Sequence, residues 1–214
     1  MRQQFEKHVS EMLPFLHAMP WSQRTYYASW LAQQYFLVRH TPRLMCAFAL
    51  RVPLENKSDF NHAVHHLQEE MGHDQWLLND LKALGFEISD FAPLAATQAL
   101  IKSQYYQIQQ ESPLSFAGYT QFLECLATEI CNPVADQIEP LFGRRAVTFL
   151  RGHGAADVEH TQEGWKLLSG LPTNIQVVVL ENLEMTVSLY RQIFTDLANS
   201  VPREKISPAL ERGA

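Results

Sequence analysis

Apolar side chains recur at steps of three and four residues along most of the chain. That is the period of an amphipathic helix and not of a strand. The repeat predicts a first helix over 21–40, dense in aromatics and ending at Thr41-Pro42, where proline kinks a helix or opens a new one. A second, 43–51, stops at Val52-Pro53. Ser58 is placed to cap a long helix reaching about Leu84, with Gly85 as its stop signal. Helices follow at 94–110 and from Pro113 to about Asn132-Pro133. Another runs over 144–169 and stops at Gly170-Leu171-Pro172. The last, 174–199, carries Leu180, Leu183, Val187, Tyr190 and Phe194 at helical spacing. No segment alternates as a strand does, and no internal repeat is visible. The expectation is an all-α bundle of about seven helices. It forms one domain over 1–201, followed by a polar tail at 202–214 that is expected to fray.

Composition narrows the classes. The 214 residues are 46% hydrophobic and 19% charged, enough for a sizeable core. Seventeen basic residues stand against 23 acidic, a formal charge of −6 with no concentrated basic patch. This argues against nucleic acid and anionic membrane as partners. The longest purely apolar run, 44–50, is far too short to span a bilayer, and the first residues lack the apolar stretch of a signal peptide. Cys46, Cys125 and Cys131 suggest no disulfide framework, so a cytoplasmic, reducing location is expected.

The candidate chemistry lies where polar groups interrupt apolar stripes. His153, Asp157 and His160 are spaced H-x3-D-x2-H and share one helix face with Ala146, Leu150, Gly164, Leu167 and Leu168. Two imidazoles and a carboxylate on a core-facing stripe need partners, and a metal ion suits that set. A second cluster comprises His62, His65, His66, Glu69, Glu70 and His73. His66 and Glu70 fall on the His73 face, and Glu69 is within reach of it. Glu70-x2-His73 is a spacing by which bundle helices supply ligands to a dinuclear site. Glu124 and Glu129 lie about 140° apart on their helix, so one centre takes only one of them. The small residues Ala117, Ala127, Thr128 and Cys131 on the Glu124 face favour Glu124. His62 and His65 read as structural, and Trp30, Tyr35, Trp76 and Tyr106 as core. The 44–50 run reads as core or as the wall of an apolar tunnel. Gly152 and Gly154, unfavourable inside a helix, imply either close helix approach or a local bend.

The segments 66–85, 122–127 and 153–160 resemble the haem-oxygenase-like diiron oxidases and oxygenases, in element order over about 20–200. That fold superfamily also holds TenA (thiaminase II) and pyrroloquinoline-quinone synthase. The resemblance implies Glu70, His73, Glu124, His153, Asp157 and His160 as metal ligands, with His66, Glu69 and Glu129 as possible ligands or supporting groups. It implies two iron ions, or manganese, and oxidation by dioxygen of a small organic substrate such as a fatty acid or amino-acid derivative. It also implies a homodimer. Some members carry a further upstream glutamate where this chain has His66, Gln33 and Gln34, so the second iron is expected to bind more weakly. Two alternatives differ in kind. One is a TenA-like or cofactor-independent enzyme using Cys125 or Cys131 as nucleophile beside Glu124. The other is a non-catalytic helical metal-binding protein.

Overall fold

A bundle of α-helices encloses one continuous apolar core. The computed structural model describes residues 1–200, with only the helical backbone described over 155–160. Among the described residues there are nine α-helices and no strand: α1 (Arg2–His17), α2 (Arg24–Val38), α3 (Thr41–Arg51), α4 (Lys57–Glu70), α5 (His73–Ala83), α6 (Ala95–Gln110), α7 (Phe116–Phe142), α8 (Thr148–Ser169) and α9 (Thr173–Ser200). None is long and apolar enough to cross a membrane. The long α7 packs against α1, α8 and α9. α5 lies between α2 and α8, and α3 packs on α4 and α6.

Nine helices replace the expected seven for two reasons. α1 precedes the first predicted helix and buries Phe5, Val9, Met12 and Leu16, a helical stripe. The predicted 58–84 helix is two helices, broken at Met71-Gly72. Gly72 adopts φ +98°, which favours glycine, and α5 starts at the next residue. The N-cap of α4 is Asn56, whose side chain accepts from the Asp59 N–H, and not Ser58. Gly85 (φ +81°) closes α5 as expected, with Phe86 N–H bonded to Leu81 O and Gly85 N–H to Lys82 O.

α7 runs through Pro133 and Pro140, past the predicted end. Both prolines are exposed. The carbonyls they leave unbonded, those of Glu129 and Asp136, belong to exposed residues that water reaches. Packing on the opposite face then keeps the helix whole.

One long-range contact sets the position of α8. Asp80, fully buried on α5, caps α8 from outside. Its Oδ1 accepts from Thr148 N and Oγ1 at 3.0 and 2.5 Å, and its Oδ2 accepts from Phe149 N at 2.9 Å. Burial raises the Asp80 carboxyl to about 6, against the pull of these hydrogen bonds. An unfolded aspartate loses its proton near 4. Between these values the folded chain holds a proton that the unfolded chain has released, so stability falls as pH rises through that window, by on the order of 2–3 kcal/mol. Denaturant melts of the metal-free protein at pH 4.5, 5.5 and 7 should show this slope, and Asp80→Asn should flatten it. An equal slope in both proteins would show that Asp80 does not carry it.

Candidate metal centre

Three helices deliver imidazole and carboxylate side chains to one apolar cavity of about 110 Å³. α4 contributes His66 and Glu70, α7 contributes Glu124, and α8 contributes His153. His73 opens α5 across the Gly72 break, and its Nδ1 lies 3.3 Å from Glu70 Oε2. Glu70, His73 and His153 each offer a ligand atom, and these three atoms lie within 4.8 Å of one another. Ligands on opposite sides of an ion bound at about 2.1 Å are about 4.2 Å apart, so the three side chains could close on one ion with a small movement.

A second group shares Glu70. His66 Nε2 lies 3.6 Å from Glu70 Oε1 and 3.3 Å from Glu124 Oε1. Glu70 thus turns one oxygen toward His73 and the other toward His66. Burial would raise the Glu70 carboxyl, but His66 and His73, with His153 beyond, outweigh it and hold the carboxyl well below the usual range. The cavity wall therefore carries a sealed, ionised carboxylate among imidazoles.

The imidazoles are held by rings. His73 stacks on Trp76 with centroids 4.2 Å apart, and His153 meets His73 at 4.9 Å and Phe149 at 4.4 Å. The glycines beside His153 allow close approach. A Cβ on Gly152 would overlap the Trp76 ring, and one on Gly154 would press on Asn132 Nδ2 at 2.8 Å. Arg151 ties this turn of α8 to α7 through Asp136 at 2.7 Å and Glu139 at 2.7 Å.

Of the sequence candidates, Glu70, His73, His66, Glu124 and His153 come together. Asp157 and His160 lie outside the residues whose side chains are described. Glu129 is exposed and lines a groove between α1, α7 and α8 with Cys125 and Thr128, on the far side of α7 from Glu124. Glu69 sits at the flank, paired with His65 at 3.2 Å. His62 links α4 to α8 through Glu163 at 3.4 Å.

The aromatics divide. Tyr106 is exposed, Tyr35 half-buried, Trp76 stacks on His73, and Trp30 lines the cavity, where a core role alone was expected. Met45 of the apolar run also lines it, whereas Leu50 is exposed. Cys131 lines the cavity, and burial pushes the Cys125 thiol up to about 11. Sequence reasoning missed Asp80, whose cap seats α8 one turn ahead of His153.

Gly152→Ala should destabilise the fold by about 1–3 kcal/mol, because a buried ring must move. Gly154→Ala should cost well under half as much, since the exposed Asn132 amide can swing away. Urea melts of the two variants check the difference, and similar losses would place the crowding elsewhere.

The sequence pattern of a family described as iron-containing redox enzymes matches residues 28–191. No curated protein matches. Among solved structures, a domain of unknown function with a heme oxygenase-like fold from Shewanella denitrificans OS217 superposes with a TM-score of 0.80 at 22% identity, covering 92% of this chain and 91% of its own. A TenA homolog from Pseudomonas syringae pv. tomato DC3000 superposes at 0.77 with 12% identity, covering 92% of each chain.

Proposed function

Since the chain belongs to the iron-containing redox enzyme family, we propose that it is a non-haem iron oxidase or oxygenase that uses dioxygen to oxidise a small organic substrate. The observation that carries this reading is the buried carboxylate with two imidazoles, their ligand atoms within 4.8 Å, at the wall of an apolar cavity. Mixed nitrogen and oxygen donors without thiolate suit iron, and manganese as well. Glu70, His73 and His153 would hold one ion. Glu124 and His66, beside Glu70, would offer a weaker second position. Iron bound there supplies the redox chemistry with dioxygen.

The protein's own groups do the rest. Glu70 provides a charge that stays ionised without help from water. Trp76 and Phe149 fix the planes of His73 and His153. Leu37, Leu123, Leu126 and Ile130 keep water from the substrate's reacting carbon. A hydrolase using Cys125 as nucleophile is disfavoured, because a thiol raised to about 11 is almost wholly protonated at neutral pH and faces the outer groove.

Anaerobic titration with Fe(II) should show one tight site and one weaker. His73→Ala and His153→Ala should each weaken the tight site by at least tenfold to a hundredfold, the scale seen even for outer partners of ligands. Glu124→Ala should remove the weaker site, and Glu129→Ala should change neither. Absence of binding at millimolar Fe(II) would end the iron reading. Oxygen consumption by the loaded protein should survive Cys125→Ala and Cys131→Ala. Chelator-resistant, oxygen-independent turnover lost in a single cysteine variant would favour the hydrolase instead.

A further inference from the structure

Two residues that line the cavity each carry a buried N–H donor without an acceptor. Trp30 Nε1 and Gln34 Nε2 are each sealed from solvent without a hydrogen-bond partner, in side chains only 5% exposed. They stand one turn apart on α2, at i and i+4, and so share a face. Both residues line the cavity that holds Glu70, Glu124 and His153. Tyr26 Oη and Gln104 Nε2 also lack partners, but neither residue lines this cavity.

Both donors are held in place. The Trp30 ring is wedged against Trp21 at 5.3 Å and Tyr27 at 5.9 Å. The Gln34 side chain is fixed by its other end, where Oε1 accepts from Tyr190 Oη at 3.2 Å. Phe149 bridges this wall to the metal centre, 6.1 Å from the Trp30 ring and 4.4 Å from that of His153. Unpartnered buried donors are costly, and a ligand that brings an acceptor recovers the loss.

The charge of the wall selects the acceptor. Among the described residues no lysine or arginine lines the cavity, while two carboxylates do. A free carboxylate on the substrate would meet no cation on the α2 side. An ammonium group would face only N–H donors there. We propose that Trp30 and Gln34 form a two-donor clamp for the neutral carbonyl of the substrate, an amide, ester or ketone with a short apolar body, whose oxidised carbon lies toward Glu70 and His153. This rests on the oxidase reading for the chemistry, but not for the binding.

The test uses the full chain, freed of metal by a chelator, with binding read by tryptophan fluorescence and thermal shift. The probes are hexanamide, hexanoate, hexylammonium and 1-chlorohexane. Hexanamide should bind at least about tenfold more tightly than hexanoate or hexylammonium, the scale of one or two hydrogen bonds without a charge to bury. Trp30→Phe and Gln34→Leu, which keep apolar bulk, should each weaken hexanamide by about threefold to tenfold and leave 1-chlorohexane unchanged. Preferred binding of hexanoate, failure of hexanamide to bind, or equal loss of both uncharged probes in the variants would overturn the clamp. The preference among probes is read on the unaltered chain and does not depend on the variants folding. Fe(II) titration of Trp30→Phe and Gln34→Leu should match the unaltered chain. Thus an unaltered chain that binds iron but shows no preference for hexanamide refutes the clamp alone, and one that prefers hexanamide but binds no iron refutes the iron reading alone.

Discussion

A carboxylate sealed from water has to be answered by positive or donor groups, and most of the site's construction follows from that demand at Glu70. Its two oxygens face two imidazoles, His66 one turn back on the same helix and His73 across the helix break at Gly72. His153 reaches the same group from α8, and Glu124 from α7 meets it through His66. Four helices therefore converge on one charge. The apolar wall around it raises the cost of leaving that charge unanswered, and also makes the position fit for a cation.

The parts of this arrangement legible in the sequence were those written in local periodicity. Imidazoles and carboxylates on apolar stripes marked Glu70, His73, Glu124 and His153 as facing inward, and the structure brings these four together. The stripe Phe5, Val9, Met12 and Leu16 is written in the same periodicity. What stayed hidden depends on contacts distant in sequence. The Gly72 break does not interrupt the apolar pattern, because α4 and α5 present similar faces on either side of it. Whether Pro133 ends a helix depends on whether its solvent side can hydrate the freed carbonyl, which only the packed bundle decides. Asp80 acts on residues 68 positions away, beyond any helical repeat.

Trp30 and Gln34 illustrate a different limit. α2 is buried on nearly every side, so its period names no single inward face. Gln33 and Gln34 are neighbours of the same type, yet their amides serve different ends. Gln33 ties the segment before α6, donating to Ala92 O and accepting from Leu94 N and Thr97 Oγ1. Gln34 lines the cavity and accepts from Tyr190 Oη. The difference of one residue is about 100° around the helix, and only the surrounding helices give it meaning.

The cap that Asp80 places on α8 divides the centre mechanically. α5 and α8 cannot slip past one another without surrendering three hydrogen bonds at once, so His73 and His153 form a fixed jaw. The opposing jaw is α4 with His66 and Glu70, joined to α5 through Met71 and the left-handed Gly72. The distance between the two jaws is therefore set at the Met71-Gly72 joint, and the distance between His73 and His153 at the Asp80 cap.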